Sequence, residues 1–142
     1  MRNVTSEIRT LIAKADLERL RHAIAIVREV SPSKEELLAH LEQKLANVEA
    51  INAEKVPKDI VTMNSVVRLL WLDTEEINLC WLGFPGALNY DGHKVSILSP
   101  LGIALLGTKV GEIAEQAVPN GVRRFKVIEI IYQPEAMKDF HL

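Results

Sequence analysis

The sequence is short of the residues that most often carry chemistry. With one cysteine in 142 residues, the chain can form no internal disulfide and no paired-cysteine metal site. That residue, Cys80, lies in the apolar run INLCWLGF, the setting of a buried, inert thiol rather than of a nucleophile. The four histidines, His22, His40, His93 and His141, stand at no metal-ligand spacing to one another. Neither sign of charge dominates: 17 Lys and Arg are interspersed with 19 Asp and Glu, for a formal net charge of -2. The chain therefore has no basic footprint, and direct sequence-specific nucleic-acid binding is not expected. Long apolar runs are missing as well. The opening MRNVTSEIRTLIAKADLERL breaks its apolar residues with charges every few positions, which excludes a signal-peptide core and a membrane span. A cytoplasmic protein with no membrane partner is expected. Gly102 and Gly107 flank a short segment without the lysine of a phosphate-binding loop, so no nucleotide, metal or other cofactor is predicted.

What is present is enough to fold. At 48% hydrophobic and 25% charged residues, the chain can bury a core in one domain with an appendage, or in two small ones. From Asp16, a plausible N-cap, apolar residues recur at Leu17, Leu20, Ile24 and Val27, one stripe of a helix. After the corner EVSPSKEEL the stripe resumes at Leu38, Leu41, Leu45 and Val48, widened by Leu37 and Ile51, with Glu42, Lys44 and Glu49 facing away. The pattern predicts an antiparallel helical hairpin over residues 1–55. Its corner holds Ser33 and Glu36 at capping-box spacing, with Ser31 followed by Pro32 as the competing cap. A first helix of about fourteen residues gives an arm of roughly 20 Å, a coiled-coil stub that would equally serve as half of a small helical core. Ile26, Leu37 and Ile51 have no obvious cover within the hairpin, which predicts self-association through that face. Residues 1–13 suit a strand or a loose arm.

Beyond a charged connector at Lys55–Asp59 the period changes. Val61–Leu72 and Ile77–Phe84 read as strands, and PGALNYDGHK as a loop or wide hairpin leading to the strand KVSIL. Ser99 and Pro100 suit the N-cap and first position of a short helix over Leu101–Leu106, closed by Gly107 in the left-handed conformation. IAEQAV, the turn PNG and the long strand RRFKVIEIIY form a hairpin. In that last strand, alternation puts Phe125, Val127, Glu129 and Ile131 on one side, and its two largely apolar faces predict a central position. The sum is an α+β chain: a short helical hairpin, then an antiparallel sheet with one short helix over 56–142.

The segments SPLGIALLGTKVGE and VPNGVRRFKVIEI resemble the carboxy-terminal, FKBP-like domain of the bacterial Gre transcript-cleavage factors. More narrowly, VTMNS at Val61–Ser65 and YQPEA at Tyr132–Ala136 resemble the Rnk-type regulators of nucleoside diphosphate kinase. The likeness covers nearly all of the second half; the first half matches as an architecture. The resemblance implies an RNA polymerase partner, with the sheet domain docked on the rim of the secondary channel and the hairpin directed into it. It assigns docking to Ser99 and Pro100, with Leu101 and Gly102 completing the segment. Gre tips carry an Asp and a Glu one helical turn apart, which help hold a catalytic magnesium ion. The matching corner here presents Glu29, Ser31, Ser33, Lys34, Glu35 and Glu36, whose two adjacent carboxylates point about 100° apart beside a lysine. A non-enzymatic regulator that competes with Gre factors for the rim, with an effect on nucleoside diphosphate kinase level, follows from this departure. The alternatives are a true cleavage factor and, by analogy with the fold, a prolyl isomerase. That last activity uses an aromatic-lined pocket, whereas this chain is 5% aromatic with Trp71, Trp81 and Phe84 in expected core strands.

Overall fold

A computed structural model of the chain describes residues 10–86 and 92–139. The apolar residues Thr10–Ala13 form strand β1, which runs directly into helix α1, Lys14–Val30. The helix begins earlier than its apolar stripe suggests, because buried Ile12 and Ala13 anchor its entry, with Ala13 extended at φ -66° and ψ 139°. Asp16 is therefore not the N-cap; it lies inside the first turn and is itself buried.

The corner also departs from its predicted chemistry. Pro32 cannot continue α1, and the chain tightens into one 3₁₀ turn, Pro32–Lys34, closed by the Lys34 amide on the Ser31 carbonyl at 2.9 Å. Helix α2 starts only at Glu35 and runs to Leu45, with neither Ser31 nor Ser33 making a side-chain cap. The capping box of Ser33 and Glu36 does not form, because Ser33 falls within the 3₁₀ turn instead of at the start of α2. Arg28 closes the two helices instead, bonding Glu35 at 2.9 Å and Glu42 at 2.8 Å. The helical stripe ends at Leu45. Val48–Ile51 is strand β2, parallel to β1 from Thr10 opposite Val48 to Ala13 opposite Ile51, and α1 with α2 makes the crossover that parallel pairing requires.

The remaining strands are β3 (Val66–Trp71), β4 (Ile77–Gly83), β5 (Lys94–Ser96), β6 (Ile113–Val118) and β7 (Gly121–Tyr132), with helix α3 at Pro100–Leu105. They form one sheet in the order β5-β4-β3-β7-β6. The sheet is mixed rather than antiparallel, because β5 runs parallel to the last three residues of β4, from Trp81 opposite Lys94 to Gly83 opposite Ser96. Of the loop or wide hairpin expected between β4 and β5, parallel pairing excludes the hairpin, and residues 87–91 lie outside the described residues. Pro119 and Asn120 do make the predicted tight hairpin between β6 and β7. Strand β7 is interior, but its pairing with β3 slips at Ile128 and Ile131. Each slip flips the alternation. Phe125 and Val127 are buried, Glu129 and Ile131 are exposed, and Ile130 turns to the core.

One core cluster joins both halves of the chain: Leu20, Leu38 and Leu41 of the hairpin pack with Val61, Met63, Leu69, Ile97, Leu105 and Phe125. Full burial of each such side chain is worth about 1.5–3 kcal/mol, so the hairpin is held to the sheet along its apolar stripe while its other face stays exposed. Of the residues expected to lack cover, Leu37 packs against the cluster, while Ile26 remains 48% exposed. Trp71 is buried edge-on to Phe125, with ring centroids 5.6 Å apart, and its indole donates to Asn78.

Candidate functional site

The residues singled out by sequence fall into two separate groups. The first is the corner between β5 and α3. Ser99 is extended at φ -151°, accepts from the Gly102 amide at 3.0 Å and donates to the Ser96 carbonyl at 2.7 Å. The Ser96 hydroxyl accepts in turn from the Leu98 amide. The hydroxyls of Ser96 and Ser99 are both used internally, beside Pro100 and Leu101, which are half-buried. Gly102 differs from its neighbours. It is buried, and a Cβ there would lie 2.0 Å from the Ser96 carbonyl oxygen, so its part is close approach of backbone to backbone rather than contact with a partner. Gly107 closes the helix at φ +84°, as its position predicts, and stands against the Thr10 side chain.

The second group is the hairpin tip. Glu29, Ser33, Lys34, Glu35 and Glu36 are exposed and Ser31 is half-buried. Glu35 is committed to Arg28, whose guanidinium is held well above its ordinary range by hydrogen bonds to Glu42 and Glu35, while Glu42 is lowered by the same contact. The tip thus offers no converging carboxylates, and among the described residues no group of three or more His, Cys, Asp or Glu is placed to hold a metal ion.

A groove connects the α3 corner to the hairpin. Its two adjoining hollows, of about 460 and 500 Å³, share His40, Gln43, Pro100 and Ala117, so Pro100 forms a lip between α2 and β6. The residue that sequence reasoning misplaced is Lys44. Instead of facing away, its amine reaches the carbonyls of Ile103 and Ala104 at the end of α3, and desolvation lowers its pKa to about 8. Its place one turn beyond His40 on α2 was legible; its partner was not. Cys80 is buried as expected, and burial pushes its thiol to about 11.

The two motifs most particular to this chain meet at the opposite end of α1. Thr62 donates to Glu135 at 2.8 Å and pairs with Ser65, while the Gln133 amide donates to the Pro57 and Ile60 carbonyls. Asp16 faces this cluster, and burial first, then the charge of Glu135, raises its carboxyl to about 7 despite Arg19 at 3.1 Å. These contacts clamp the ends of the sheet domain together. His141 lies outside the described residues. No described helix is long and apolar enough to cross a membrane.

Residues 56–132 match the family model described as "Transcription elongation factor, GreA/GreB, C-term". The chain is 35% identical over 103 residues to the "Regulator of nucleoside diphosphate kinase" of Escherichia coli K12, covering 72% of this chain and 76% of that one. It is 36% identical over 94 residues to a "Transcription elongation factor GreA" of Clostridium botulinum, covering 66% of this chain and 58% of that protein's length. Among solved structures, the "Prokaryotic transcription elongation factor GreA/GreB from Nitrosomonas europaea" superposes with a TM-score of 0.69 at 34% identity, covering 87% of this chain and all (100%) of that one.

Proposed function

This chain belongs to the GreA/GreB transcription elongation factor family, and we propose that it is a non-catalytic regulator that binds RNA polymerase at the rim of the secondary channel. The sheet domain, read as FKBP-like from residue 56 onward, docks through Ser99, Pro100 and Leu101. The hairpin tip, too short to reach the catalytic centre, rests near the channel entrance and excludes Gre factors from the same rim. The effect on nucleoside diphosphate kinase that the relative's name carries would then run through gene expression.

The observation that carries this reading is the difference in how the two groups spend their polar atoms. The corner at Ser99 is half-buried and spends its serine hydroxyls internally, the properties of a pre-organised contact point. The tip spends Glu35 on Arg28, which leaves it without the paired acids that magnesium chemistry needs. Purified core RNA polymerase should retain the protein in a pull-down. Excess Gre factor should displace it, and Pro100→Asp should weaken binding about tenfold or more by placing a charge at the lip of the contact. Retention that is indifferent to both would remove the rim as the site. Shortened RNA from stalled complexes on adding the protein would favour the cleavage-factor reading instead.

A further inference from the structure

We propose that Lys44 is a positioning residue, a hydrogen-bonding latch that sets the angle of the hairpin on the α3 corner by capping the carboxy-terminal end of that helix from across the groove. The accounting of carbonyls at the end of α3 motivates this. The Gly102 carbonyl receives the Leu106 amide, the Leu105 carbonyl receives the Thr108 amide, and the Ala104 carbonyl receives the Thr108 hydroxyl. The Gly107 amide, which would ordinarily serve Ile103, bonds Val61 instead. Among the described residues this leaves the Ile103 carbonyl to the Lys44 amine, which also lies 3.5 Å from that of Ala104.

A lysine amine suits this place. The end of a helix gathers unsatisfied carbonyls, and an amine on a long stem brings several donors to them, although burial there lowers its pKa to about 8. The segment Pro100–Leu105 carries no charged residue of its own. The other titratable groups lining the groove are Glu36 and His40 from α2 and Glu115 from β6, and Glu115 is engaged by Arg124 at 3.0 Å. Lys44 is therefore the polar side chain that joins α2 to α3. From α1, Arg28 bonds Glu35 and Glu42 and holds the helices of the hairpin to each other and not to the sheet. Loss of the Lys44 amine leaves the hairpin closed on itself but looser on the corner. The latch is a property of the free protein; its use in aiming the tip at the polymerase rests on the function proposed above.

The test uses the isolated protein, so its failure is separate from any failure to bind polymerase. Nitroxides at Glu29→Cys and Val122→Cys, both exposed in the native chain, report the distance from the tip to the β6–β7 turn, while buried Cys80 stays unlabelled. Pulsed dipolar spectroscopy should give a narrow distance distribution that does not broaden between pH 6.5 and 9.5, because burial lowers the Lys44 pKa in the latched state and the neutral amine still donates there. Lys44→Met should be roughly twofold broader at both pH values, Lys44→Arg narrow at both, and His40→Gln should leave the wild-type profile in place. A broad distribution in the wild type, or a Lys44→Met protein with the wild-type profile, would overturn the proposal. The wild-type distribution is a test even if a variant fails to fold.

Discussion

Two corners of this protein open with the same dipeptide. Ser31-Pro32 turns α1 into α2, and Ser99-Pro100 turns β5 into α3. At the second, serine is a working N-cap and proline the first helical residue. At the first, proline still takes the leading position, but in a 3₁₀ turn, and serine caps nothing. The difference lies in what stands behind each. Gly102 lets the start of α3 press against the Ser96 carbonyl, so the Ser99 hydroxyl is held between a donor and an acceptor. The tip is exposed from Pro32 to Glu36 and closes through Arg28 on exposed carboxylates. A capping sequence becomes a rigid cap where packing holds the geometry, and a compliant turn where nothing does.

The strongest way to break this contrast is Gly102→Ala. The added methyl would meet the Ser96 carbonyl oxygen at 2.0 Å and the Ile97 Cα at 2.9 Å, both backbone, so urea unfolding should show a loss of roughly 3 kcal/mol or more. At the tip, Lys34→Ala, in an exposed position, should stay within about 0.5 kcal/mol. Equal losses at the two positions would mean that the tip is packed as tightly as the corner.

A second contrast sharpens the first by comparing carboxylates in the opening turns of the two hairpin helices. Glu35 and Glu36 sit in water at the start of α2, whereas Asp16 is 3% exposed at the start of α1. Burial outweighs the helix dipole there, raising the Asp16 carboxyl from 3.8 to about 7. Between those two values the folded chain keeps a proton that the unfolded chain has released. Stability should therefore fall as pH rises through that window and level off above it. Asp16→Asn should flatten the profile and gain about 2 kcal/mol at pH 7.5 relative to wild type, less than full linkage because neighbours relax. A wild-type profile that rises from pH 4 to 7 would show that Arg19 and the helix dipole prevail.

The smallest effect concerns the caps themselves. Ser99→Ala should cost about 1 kcal/mol in thermal or urea unfolding, the usual worth of an N-cap, and Ser31→Ala or Ser33→Ala no more than about 0.5 kcal/mol. Similar costs at all three serines would erase the distinction between the corners.

Much of this architecture was legible because it depends on local signals. The stripes through Leu17–Ile24 and Leu38–Leu45, the Ser99-Pro100 cap, Gly107 at positive φ and the Pro119-Asn120 hairpin each arise from neighbouring residues in the chain. The helix starts at Asp16 and Ser33 were misread for local reasons, but the misreadings of the strands share one cause, which is a partner distant in sequence. Val48–Ile51 continues the helical period, yet pairs with Thr10–Ala13 because that strand satisfies its backbone. The face of Glu129 depends on slips against β3, and the parallel placement of β5 on the return path from β4.

By itself, then, the sequence determined the apolar stripes of the two hairpin helices, the Ser99-Pro100 start of α3, the β6–β7 turn and the likeness to the Gre family. Only the tertiary structure decided that Lys44 turns inward to the end of α3, that Asp16 is dry, and that the hairpin leucines and the sheet share one core. The physical reason is range. Periodicity and turn chemistry act over a few residues, whereas desolvation and the pairing of orphan carbonyls depend on groups that folding brings together from far along the chain.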